Sequence, residues 1–239
     1  MKVASLAAGL LIVGLLSGCA APSIGTVGSD SEKRDSRPSA APVTAEEVEE
    51  NEPQDLIIDD LAFGRVVDQD YWWYVVVVDN PNPDFVFASA SLNVEALDPN
   101  GVILDTSGDY PTLLPGKTAI TGLFFEVGSQ EIVELNVRGP LASSAVSSPS
   151  GETGSFTLSP VESVRDTYST TVSGNITSNF SEEQEYVTVV VVARGADGSI
   201  VGGESTYVER LPSGGTARFE ASFFGSLPEG ATFEAFPYL

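Results

Sequence analysis

The sequence predicts an all-β protein built as two tandem β-sandwiches, on three observations. Past residue 55, apolar and polar residues alternate in short runs separated by Gly, Pro, Asp and Asn. No stretch there holds helical spacing for more than a turn or two. The third observation is an internal repeat: Asp98-Pro99-Asn100-Gly101-Val102-Ile103 aligns with Ala196-Asp197-Gly198-Ser199-Ile200, and Leu114-Pro115 aligns with Leu211-Pro212 at the same offset. Thr118-Ala119 meets Thr216-Ala217 after one inserted residue, so one module occurs twice.

In the first copy, 56–138, strands are expected at 56–67, 71–79, 85–97, 102–107, 118–127 and 132–137, and the second copy, 155–239, reads alike. Residues 139–154, rich in Ser, Pro and Gly, are expected as a linker. Each copy has the size of a small β-sandwich. Without a disulfide, such a domain depends on well-packed strands.

Alternation assigns the faces. Trp72, Tyr74, Val76 and Val78 align with Thr170, Val172, Gly174 and Ile176 and are expected to face inward. That leaves Trp73, Val75 and Val77 on the other face, where the second copy has the polar Thr171, Ser173 and Asn175. On the next long strand the asymmetry reverses: with Val187, Val189, Val191 and Ala193 inward, Val190 and Val192 face out, where the first copy has Asn93 and Glu95. Trp73, Val75, Val77, Val190 and Val192 are therefore the candidate interface, expected to pack the copies together. Binding of a partner, or faces exchanged by a bulge, are the alternatives.

The second copy's order, 172–179, then 187–193, then Asp197-Gly198, then Leu211-Pro212-Ser213-Gly214-Gly215-Thr216, resembles the FxLYD domain. That family pairs a strand ending in Asn, a hairpin at Asp/Asn-Gly and a Leu-Pro-x-Gly turn leading into a strand. The first copy is similar through 76–80, 94–98, Gly101 and Leu114-Pro115-Gly116. The resemblance implies immunoglobulin-like sandwiches on bacterial surface proteins and brings no catalytic residues.

The amino terminus carries a second resemblance. Lys2, an apolar run over 6–16 and Leu16-Ser17-Gly18-Cys19 resemble the signal and lipobox of bacterial lipoproteins. Residues 1–18 are then expected to be removed, with Cys19, the only cysteine, carrying a diacylglycerol and fatty acyl (palmitate-type) chains. Two or more chains hold a protein on a membrane where one is marginal. Residues 20–55 are poor in aromatic and branched apolar residues and end in a run of carboxylates, so a disordered acidic tether is expected, reaching from about 35 Å as a coil to about 110 Å if extended. The localisation expected is exported and lipid-anchored on the extracytoplasmic face.

The formal charge of -23, which becomes about -24 once Lys2 is lost, excludes nucleic acid as a partner and adhesion to anionic lipid through a basic patch. Histidine is absent, and with it the commonest general base, the Ser/His/Asp triad and most zinc sites. Lys117, the one lysine past the tether, reads as a turn residue. Carboxylates abound without a distinguishing pair; Asp68, Asp70, Asp79 and Asp84 are the weak calcium candidates, at strand ends and loops. Tyr71-Trp72-Trp73-Tyr74 has the composition of a sugar-stacking platform, which alternation divides between two faces. No cofactor is expected and no catalysis is required. The expected function is a cell-envelope lipoprotein displaying binding or structural modules, with an envelope protein or glycan as partner. A carboxylate-based glycan hydrolase and a transporter's solute-binding lipoprotein are the alternatives.

Overall fold

The computed structural model describes residues 52–66 and 69–239. The signal, Cys19, the tether through residue 51 and Asp68 lie outside the described residues. The described residues are all-β, and every ladder among them is antiparallel.

The first half contains β1 (Ile57–Arg65), β2 (Trp72–Asn80), β3 (Phe85–Val86), β4 (Leu92–Leu97), β5 (Ile103–Asp109), β6 (Gly116–Phe124), β7 (Glu134–Arg138) and β8 (Val146–Ser147). The second contains β9 (Phe156–Leu158), β10 (Glu162–Arg165), β11 (Ser169–Ser178), β12 (Gln184–Arg194), β13 (Ile200–Leu211), β14 (Thr216–Phe224) and β15 (Thr232–Tyr238). The main sheets are β1-β2-β6 and β5-β4-β7 in the first half, and β10-β11-β14 and β13-β12-β15 in the second. The halves thus repeat one strand order.

The turns repeat too. Gly101 and Gly198 both take positive φ, +77° and +85°. Their N–H groups donate to the carbonyls of Asp98 (2.9 Å) and Gly195 (3.0 Å), closing the β4–β5 and β12–β13 hairpins. The Asp98 carboxylate accepts the Asn100 and Val102 N–H groups, each at 2.8 Å, and this holds its pKa below the usual range.

Three apolar layers separate the four main sheets. The first lies between β5-β4-β7 and β1-β2-β6, joining Leu92, Val94 and Ala96 to Tyr74, Val76, Val78 and Ile120. The second lies between β13-β12-β15 and β10-β11-β14, joining Val187, Val189 and Val191 to Val172, Ile176 and Phe219. The third joins the halves: Val75 and Val77 of β2 and Ala119 of β6 meet Val190 and Val192 of β12, Ile200 and Tyr238. A strand covered on both faces must be apolar at every position rather than alternate. That is why β2 reads Val75-Val76-Val77-Val78 and β12 reads Val189-Val190-Val191-Val192, all at most 1% exposed.

Two segments depart from expectation. The single strand expected over 85–97 is two, β3 pairing with β8 and β4 with β5 and β7. Phe87 and Ala90 are both buried, a spacing of three that a strand of period two cannot satisfy, and Ser89 between them sits at φ +48°. Residues 139–154, expected as a linker, are fastened to the first half. Ala142 N–H donates to the Asp55 carboxylate at 2.9 Å, and Ser148 and Ser150 N–H donate to the Asp84 carbonyl and carboxylate at 2.8 and 2.9 Å.

Candidate functional site

The two halves meet through non-equivalent sheets, the outer face of β1-β2-β6 against that of β13-β12-β15. The approach is close because Gly203 of β13 has no side chain. A Cβ there would lie 2.3 Å from Val75 Cγ2 and 3.0 Å from Thr121 Oγ1. Each valine in this layer gains about 1.5–3 kcal/mol over leaving it in water.

Polar groups frame the layer. Arg194 of β12 reaches across to β1: its Nη1 donates to Asp60 Oδ2 at 2.7 Å while its Nε donates to Glu234 Oε2 at 2.8 Å, with the side chain only 18% exposed. The register shift in β1 between Ile58 and Asp60 lies just where Asp60 meets this arginine. At the other end the Tyr238 hydroxyl donates to the Asp109 carboxylate, and burial with that carboxylate pushes the Tyr238 pKa up. Thr112 N–H donates to the Leu239 carbonyl at 2.6 Å.

Beside the apolar layer the halves leave a cleft of about 1150 Å³. Tyr71, Trp73, Leu123, Phe125 and Thr121 form the wall from the first half; Gly203, Glu204, Ser205, Phe224 and Leu227 form much of the other. Trp73 is half-buried with its indole laid over Gly64, where a Cβ would come within 2.8 Å of the ring. Tyr71 and Phe125 pack with ring centroids 5.6 Å apart. Phe125 and Phe224 stay 64% and 85% exposed, unusual for side chains of this size.

Glu204 is the one carboxylate among the described residues lining this cleft. It shares a face of β13 with Val208 and Gly202, where β13 runs against β14, and its pairing partner across the ladder is Val191. Burial pushes its carboxyl up to about 7, with no hydrogen-bond donor or cation among the described residues offsetting it. The cleft's arginine does not serve it: the Arg65 Nη2 donates to the Gly128 carbonyl at 3.0 Å, and its guanidinium lies over Trp72.

Of the residues singled out in the sequence, Val75, Val77, Val190 and Val192 lie together between the halves, and Trp73 runs from that layer into the cleft. Trp72 and Tyr74 go into the first apolar layer. Asp70 is exposed, and Asp79 lies opposite Lys117 on β6. Asp84 holds the 148–150 turn. Among the described residues no three acidic or sulfur side chains gather closely enough to share a metal ion.

Glu204, Phe125, Phe224 and the Arg194–Asp60 pair are absent from the sequence reading. A signal for the phenylalanines was present: Phe124-Phe125 and Phe223-Phe224 end the corresponding strands, and alternation requires one ring of each pair to face outward. Glu204 and Arg194 carry no such mark, since each owes its role to residues far away in the chain. No protein-family model matches this chain, and no curated protein matches it.

Proposed function

We propose that this chain is a bacterial lipoprotein, held by a diacylglycerol on Cys19 to the extracytoplasmic face of a membrane, which displays two immunoglobulin-like modules of FxLYD type as one binding unit. The observation that carries this reading is the apolar layer of Val75, Val77, Val190 and Val192 between the halves. Modules serving only as spacers would keep those faces polar. Burying them holds the halves in one orientation and forms a cleft that neither half has alone. The repeated strand order and the paired Gly101 and Gly198 turns support the tandem-module reading, and Leu16-Ser17-Gly18-Cys19 supports the anchor.

A binding role is favoured over the glycan hydrolase because a two-carboxylate mechanism needs a pair about 5 to 10 Å apart, and the cleft lining contributes Glu204 alone among the described residues. The cleft favours one second reading, a solute-binding lipoprotein whose partner is a small molecule rather than an envelope component. The charge of -23 speaks against nucleic acid in either case. The test is the intact mass and detergent partitioning of the protein from its native host beside Cys19→Ala. A diacylated protein in the detergent phase, with the variant released, is the expected result. An unlipidated, secreted wild type would overturn the anchor.

A further inference from the structure

The cleft has two properties that bear on a ligand. Two of its aromatic rings stay exposed, Phe125 at 64% and Phe224 at 85%, because Phe124 and Phe223 take the inward positions at the same strand ends. And Glu204 is half-buried beside them, without a hydrogen-bond donor or a cation among the described residues. Exposed aromatic faces gather an apolar surface, while an unpartnered carboxyl gathers hydroxyl or N–H donors.

We propose that this cleft binds a neutral oligosaccharide, with Tyr71, Trp73, Phe125 and Phe224 taking the C–H faces of the sugar rings and Glu204 and Ser205 taking hydroxyl groups. This rests on the reading of the halves as one fixed unit, since the two walls come from different halves. A pyranose is the ligand class that presents an apolar face and a fringe of hydroxyls in one rigid ring.

Other chemistries fit less well. A purely apolar ligand would cover Glu204 and leave it unsatisfied, at the cost of burying a polar group. Among the described residues the cleft's one cation, Arg65, is held by the carbonyls of Gly128 and Gln130 and is not left for an anion. At about 1150 Å³ the cleft slightly exceeds the usual range of about 300–1,000 Å³ for small-molecule sites, which suits a chain of several sugar rings rather than a monosaccharide.

The test is calorimetric titration of the intact chain with cellotetraose, maltotetraose, mannotetraose and chitotetraose, with tryptophan emission read in parallel, since Trp73 lines the cleft and the only other tryptophan, Trp72, lies in the first apolar layer. The expected result is saturable binding of at least one of them. Phe125→Ala, Phe224→Ala and Glu204→Ala should each weaken it by about tenfold, in proportion to the loss of one stacking or charge-assisted contact. Phe224 is exposed enough that its alanine variant keeps the fold, and thermal melts check this for all three.

No binding of any of the sugars at millimolar concentration overturns the proposal. So does binding that the three variants leave unchanged, or preferential binding of a lysine-rich peptide. Small-angle scattering of the same samples separates two failures. Halves still packed with no sugar bound sinks the ligand alone, whereas separated halves sink the fixed unit with it.

Discussion

Replacing Glu204 by glutamine should stabilise the protein at neutral and alkaline pH and do almost nothing in acid. The carboxyl is pushed from its ordinary 4.5 up to about 7 because its site on β13 is partly withdrawn from water. The folded chain therefore holds this proton more tightly than the unfolded chain does. Stability from this group is fully present below about pH 4.5, is lost as pH rises to about 7, and stays lost above it. The full shift is equivalent to about 3 kcal/mol, and partial exposure reduces this to about 1–2 kcal/mol. Glutamine keeps the shape and never ionises. For a domain of this size, Glu204→Gln should melt about 2–8 °C higher than the parent at pH 8 and within about 1 °C of it at pH 4. The assay is a pair of thermal melts from pH 4 to 8, in which the other carboxylates cancel in the difference. A difference that is flat with pH, or that grows toward acid, would refute the reasoning.

Three further outcomes follow from the contact between halves. Gly203→Val places a side chain where a Cβ would already sit 2.3 Å from Val75, so it should pry the halves apart, visible as a larger radius of gyration and as two thermal transitions in place of one. Arg194→Ala removes the bridge between Asp60 and Glu234 and should cost about 1–2 kcal/mol, with Arg194→Lys recovering only part, since one ammonium cannot span both carboxylates at 2.7 and 2.8 Å. Giving the outermost faces the apolar residues of the inner ones, Asn93→Val and Glu95→Val together with Thr171→Trp, Ser173→Val and Asn175→Val, should let molecules stack head to tail. Sedimentation velocity should then show concentration-dependent oligomers that the parent lacks.

That last prediction turns on why the stack stops at two. The sheets that meet are not equivalents of each other, so the same contact repeated would add a module at each end indefinitely. At one end, Glu95 stands where the second half has Val192, and its Oε2 accepts from Asn136 Nδ2 at 2.7 Å and Arg138 Nη2 at 2.9 Å. At the other, Thr171, Ser173 and Asn175 stand where the first half has Trp73, Val75 and Val77. A face that carries a satisfied carboxylate network cannot be buried against hydrocarbon without stripping water from its charges.

The two unbroken valine runs were legible because a strand apolar at every position has to be covered on both sides, and the polar residues at the matching positions of the other copy marked those faces as special to each half. The hairpins were legible at Asp98-Pro99-Asn100-Gly101 and Asp197-Gly198 because only a few residues tolerate positive φ. The break within 85–97 was not, since Ala88-Ser89-Ala90-Ser91 continues the apolar-polar alternation and carries no Gly or Pro to punctuate it. Nor was the docking of 142–150, which depends on Asp55 and Asp84, distant in sequence.

By itself, then, the sequence determined the all-β class, the repeat, the inward and outward positions of the long strands and the faces that water could not cover. These are local properties, set by side-chain period and backbone freedom at single positions. Only the tertiary structure decided that those faces meet each other and not a partner, that Gly203 lets two sheets close on Val75, that Arg194 finds Asp60, and that Phe125, Phe224 and Glu204 gather around one cleft. Those pairings depend on the shapes and distances of sheets already formed, and spacing along the chain does not encode them.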